Sequence, residues 1–240
     1  MLMLLLVLTG FSRTLFLRPL FQVPALPWYD YLHGSLMTLW FVLLVVQTSL
    51  VAARRTDLHR RLGIFGAALA AAMVTVGLTV ILRFPAHFRA SNGVLSTGLP
   101  ASPSTALGFL WGDLEAITVF SIMVATALMT RRRPDIHRRL MLLASMVIIT
   151  PAVGRITTFP DLAGLASSAP VLASSLTIVL VALIVLLPLT LLAHDLLTAR
   201  RLHRATIWGV VGLYAMGFAF GNVVPSTAVG RALWNALVSH

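Results

Sequence analysis

The stretch Arg54-Arg55-Thr56-Asp57-Leu58-His59-Arg60-Arg61-Leu62 decides how the chain is read. Apolar runs flank it, residues 30–53 before and 60–82 after. As helix, at about 1.5 Å per residue, each run is long enough to cross a hydrocarbon core of about 30 Å. Arginines packed between two such runs mark a short cytoplasmic turn, because positive charge stays on that side of a membrane. The arrangement returns at Arg132-Arg133-Pro134-Asp135-Ile136-His137-Arg138-Arg139-Leu140, and in shorter form at Arg200-Arg201-Leu202-His203-Arg204. Working outward, spans fall at roughly 1–17, 30–53, 60–82, 106–130, 137–157, 170–195 and 205–222. The expected fold is all-α: a polytopic transmembrane helical bundle of about seven spans, forming one integral membrane domain over residues 1–240. With all three arginine turns inside, the N-terminus is inside and the C-terminus outside.

Composition supports this reading. Of 240 residues, 58% are hydrophobic and 10% charged, more apolar surface than a soluble fold of this size hides. The net charge of +11 would suit nucleic acid if it were spread over one face. Instead, twelve of the eighteen arginines sit in the three turns, where they suit anionic phospholipid headgroups of the lipid bilayer. Nucleic acid is not an expected partner. With no cysteine, disulfides, thiolate metal sites, iron–sulfur clusters and cysteine nucleophiles are excluded. No Walker loop, GxSxG elbow, HExxH or GxGxxG is present, so no catalytic residue is assigned, and whether the protein is an enzyme stays open.

Residues 33–62 align without a gap on residues 111–140, with twelve of thirty positions identical. The ordered Asp, His and Arg series carries the match, beyond what shared leucine produces. Read as duplicated two-helix hairpins, approximately 33–82 and 111–158, these repeats form a four-helix core with both copies in one orientation. A third, decayed hairpin over 170–222 is expected from the echo at residues 200–204. Within these spans Pro151 and Pro188 cannot donate to the carbonyls of Val147 and Ile184, so both helices should kink there.

The string His33-Gly34, Trp40, Gln47, RRTDLHRRLG (54–63) and RRRPDIHRRLM (131–141) resembles a widespread group of bacterial multi-pass inner-membrane proteins. The resemblance runs from about Arg18 to about Gly209. It implies a helical protein of the cytoplasmic (inner) membrane, in a group to which no activity is assigned. A looser, architectural similarity is to four-helix b-type cytochromes, which hold haem between paired histidines.

Two sets of residues are candidates for chemistry. His59 and His137 occupy matching positions, each two residues after an acid, Asp57 or Asp135, that is placed to cap its helix. Uncharged imidazole is the form that ligates a metal, and a bis-histidine haem b between the two would set its propionates among the neighbouring arginines. His194, beside Asp195, is a further candidate ligand at the same edge. The plainer reading is a duplicated cap anchored to headgroups. The second set is His33, Asp113, Glu115 and Arg155, near the outer ends of their spans. Ionisable groups at such depth need a partner or a water-filled cavity, so they form either a structural ion pair or a ligand pocket. Three functions follow. The first is a redox-type or cofactor-binding membrane protein using haem b or a quinone through His59, His137 and His194. The second is a transporter or small-molecule-binding protein using the outer pocket. The third is an accessory subunit of a membrane complex, and the expected protein partners are such a complex or further copies of the chain in a homo-oligomer.

Overall fold

The computed structural model describes residues 1–21, 25–95, 101–157 and 167–238, with Trp234 and residues 236–238 described by backbone alone. Of the expected outer loop 158–169, residues 158–166 lie outside this description. The described residues form helices and turns, with no β-strand. In chain order the helices are α1 (Leu2–Gly10), α2 (Trp28–Ala52), α3 (Thr56–Ala90), α4 (Pro103–Met129), α5 (Pro134–Val147), α6 (Thr150–Thr157), α7 (Pro170–Leu186), α8 (Leu189–His194), α9 (Arg204–Phe218) and α10 (Ala228–Val238). Five stretches are long and apolar enough to cross a membrane: α2, α3, α4, the Pro134–Ile156 segment and Arg204–Ser226. A bent sixth runs through α7 and α8. The protein is an all-α integral membrane bundle.

Sequence chemistry sets the helix starts. Pro103 opens α4, Pro134 opens α5 and Pro170 opens α7, positions where a missing N–H costs nothing. Ser102 Oγ accepts from the Thr105 N–H at 3.2 Å, and His203 Nδ1 accepts from the Ala205 N–H at 3.1 Å. Asp57 and Asp135 do not cap. Each is the second residue of its helix, where a negative charge meets the positive end of the helix. The residues before their helices are arginines, which have no acceptor to offer.

Two span boundaries differ from expectation. Helix α3 runs to Ala90, past the expected end at residue 82, and carries buried Pro85 within it. At 35 residues it is about 50 Å long, longer than the hydrocarbon layer. The first expected span, 1–17, is a nine-residue helix followed by a π turn over Ser12–Phe16. The regular ladder stops where the Ser12 hydroxyl donates to the Thr9 carbonyl at 2.6 Å. Helix α1 packs on α6 and α2, so close that a Cβ on Gly10 would stand 2.1 Å from the Ala152 carbonyl oxygen.

Helices α2 to α5 form the core, centred on Phe41, Met73, Phe120, Leu143 and Ile149. The Trp40 indole N–H of α2 donates to Ser145 Oγ of α5 at 3.1 Å, and its ring meets Phe120 of α4 edge-on at 5.1 Å. Small residues bring α2 and α3 together: Gly66 faces Leu43 and Gly63 faces Gln47. Residues such as Met129 (86% exposed) and Leu82 (80%) point outward, as a lipid-facing surface requires.

Both prolines break their spans. Pro151 separates α5 from α6, and the Val147 carbonyl it leaves open accepts from the Thr150 hydroxyl at 3.0 Å. At Pro188, α7 and α8 meet at 58°. There the Tyr214 hydroxyl of α9 donates to the Val185 carbonyl.

Candidate functional site

The three arginine-rich turns lie at one end of the bundle. His59 and His137 meet there edge to face, with ring centroids 6.5 Å apart. The His137 Nδ1–H donates to the Ala127 carbonyl oxygen at 2.8 Å, which leaves its Nε2 lone pair open. A hydrogen bond of this kind on the far ring nitrogen orients ligating imidazoles. His59 is held differently. With the Gln47 amide turned to satisfy both its ends, its NH₂ donates to His59 Nδ1 at 2.7 Å and its oxygen accepts from the Gly63 N–H at 3.1 Å. That fixes the His59 proton on Nε2, so the pair offers one ligand lone pair rather than two. The side chain of His194 is 59% exposed. Among the described residues, no three His, Asp or Glu side chains converge as a metal site.

Asp195 is not the orienting partner of His194, whose Nδ1 stays 3.9 Å away. Its carboxylate is buried at 1% exposure and belongs to Arg139 of α5, which approaches with Nη2 at Oδ1 and with Nε at 3.3 Å from Oδ2. Thr206 Oγ1 of α9 donates to Oδ2 at 2.6 Å, and the His203 N–H donates to it at 3.2 Å. His203 Nε2–H donates in turn to Asp135 Oδ2 at 2.8 Å. Both oxygens of the buried carboxylate thereby accept hydrogen bonds, one on Oδ1 and three on Oδ2, which is what lets a charge stay out of water. This clasp ties the last hairpin to the core. Adjacency to His194 was the only relation of Asp195 visible in the sequence. The signal that could have found the clasp was a lone acid at the inner end of an apolar run, facing an excess of arginine.

The other end of the bundle holds a cavity of about 650 Å³. His33 of α2, Asp113 and Glu115 of α4, and Arg155 of α6 all line it. Four ionisable residues from three helices are thus brought to one space. Arg155 Nη1 donates to the Pro151 carbonyl oxygen at 3.2 Å, and its guanidinium lies 4.6 Å from the centre of the Phe11 ring. Asp113 faces the positive field of Arg155. Both broken spans contribute, through Pro151 on one side and Ile184, Val185 and Pro188 on the other. Gly108 and Gly112, one turn apart on α4, border the cavity, and a Cβ on either would meet no atom within 4 Å.

The structure adds Asp30, His87 and Thr14 to the lining. Asp30 was legible as an acid in the first turn of an apolar span. His87 was not, because α3 was expected to end before it. Thr14 Oγ1 and His33 Nδ1 are buried with no hydrogen-bond partner among the described residues.

Fold and site together define an α-helical integral membrane protein with an ionisable cavity between its helices. Searches against protein-family models, curated proteins and solved structures find no match.

Proposed function

We propose that the protein binds a small molecule inside the membrane, in the cavity lined by His33, Asp113, Glu115 and Arg155, as a transporter or a binding protein does. The observation that carries this is the convergence of those four side chains, from three separate helices, on one space. Its volume of about 650 Å³ falls within the roughly 300–1,000 Å³ usual for ligand sites. Broken spans beside it favour the same reading, since discontinuous helices line the binding sites of many transporters. The duplicated hairpin of the sequence, and the resemblance to inner-membrane proteins, fit this architecture. The proposed setting is the inner membrane, with the three arginine turns in the cytoplasm and the C-terminus outside. Helix α10 supports it, since Leu233 packs against the Ile81 and Phe88 cluster at the end away from the arginines.

The test is mass spectrometry of material extracted from the purified protein. Wild type should retain a small molecule that Gly112→Leu loses at unchanged protein level, because the new side chain enters open space. A chain that carries nothing, or a variant that carries as much, removes the reading.

The cofactor reading retains one supporting observation, the Nε2 lone pair of His137 held open by its bond to Ala127. A Soret band in protein made with excess haem, absent from His137→Ala, would move the assignment there.

A further inference from the structure

The charges lining the cavity are unequal. Among the described residues, three carboxylates border it, Asp30, Asp113 and Glu115, against one guanidinium, Arg155, and two histidines, His33 and His87. Asp30 sits in the field of His87, Arg155 and Arg18. Asp113 has Arg155 across from it but makes no hydrogen bond with a described residue. Glu115 has neither a hydrogen bond nor an ion pair among the described residues. It stands where α9 gives it room, its Oε1 3.4 Å from where a Cβ on Gly217 would be. An ionised carboxylate in such surroundings requires a counter-charge, and a carboxyl there can hold either a proton or a cation.

The remaining wall is apolar, with aromatic rings set among aliphatic side chains. Phe41, Phe84, Phe109 and Phe218 come from four different helices. Aromatic rings and carboxylates together suit an organic cation, which gains from ring quadrupoles as well as from charge. A separate observation points to an occupant. Thr14 is 8% exposed, its hydroxyl has no partner among the described residues, and it borders this space, as does the unpartnered His33 Nδ1. Buried polar atoms of this kind need something in the cavity to bond to.

We propose that the cavity takes a lipophilic organic cation, its charged centre held by Glu115 and Asp113 and its apolar body against the phenylalanine rings. This names the ligand class for the site proposed above and rests on that reading.

Tetraphenylphosphonium and its isosteric anion tetraphenylborate separate charge from shape. Binding of each to the detergent-solubilised full chain is measured by equilibrium dialysis. The phosphonium should bind saturably and the borate should not. Glu115→Gln should weaken the phosphonium by about tenfold or more, as loss of a desolvated charge partner does, while Glu115→Asp keeps it. Asp113→Asn is the second variant, with the same expectation, should Glu115→Gln fail to fold. Gly112→Leu should abolish binding. Borate binding as tight as phosphonium, or phosphonium binding indifferent to both neutral variants, overturns the cation while leaving the cavity as a binding site if Gly112→Leu still blocks it. If neither ion binds, the cation proposal falls, and the extraction experiment alone decides whether the cavity holds a ligand.

Discussion

Arg61 and Arg139 occupy matching places in the two arginine stretches and have opposite fates. Arg61 is exposed, while Arg139 is 7% exposed and closes on Asp195. Removing one partner of such a pair strands the other charge. Asp195→Ala should therefore cost roughly 3–5 kcal/mol, read as a lower unfolding midpoint in detergent. Arg61→Ala should leave that midpoint within about 0.5 kcal/mol of wild type. Equal effects would mean that the clasp does not hold the last hairpin. At this scale the sequence was most legible where a residue type was out of place. His33, Asp113, Glu115 and Arg155 stood out as ionisable groups in apolar runs, and the structure puts all four on one cavity. Asp195 stood out too, but its partner lies 56 residues earlier in the chain, and no local pattern encodes that distance.

Among the elements, the two broken spans were readable because proline lacks an N–H wherever it sits. The hydrogen bonds that form beside the breaks were only half readable. Thr150 could be guessed as a donor to Val147 from its place three residues on, whereas Tyr214 reaches Val185 from another helix. Helix α1 was misjudged in length, since nothing apolar in MLMLLLVLTGF announces a π turn. Its docking rests on the absence of a side chain at Gly10. Gly10→Val would drive its Cβ into the Ala152 carbonyl, and overpacking of this kind costs about 1–3 kcal/mol. A reduced melting temperature is the expected result; an unchanged one would show that α1 is held elsewhere.

For the whole molecule, the closeness of the three arginine turns makes a topological prediction. The chain has no native cysteine, so single introduced thiols report without background. Asn92→Cys, after α3, should be labelled from outside intact cells, and Arg132→Cys, after α4, only once the membrane is opened. Labelling of both from one side would end the proposed arrangement. What the sequence alone determined is the solvent: long apolar runs must be helices in lipid, because a backbone in hydrocarbon satisfies its polar groups only within itself. Pro151 and Pro188 then mark where two of those helices break, and the arginines suggest which ends stay together. What only the tertiary structure decided is which side chains meet: Arg139 with Asp195, Gln47 with His59, and the ionisable residues of three helices around one cavity. Periodicity determines which face of a helix is apolar but leaves its rotation against each neighbour to packing, and side-chain encounters between helices depend on that rotation.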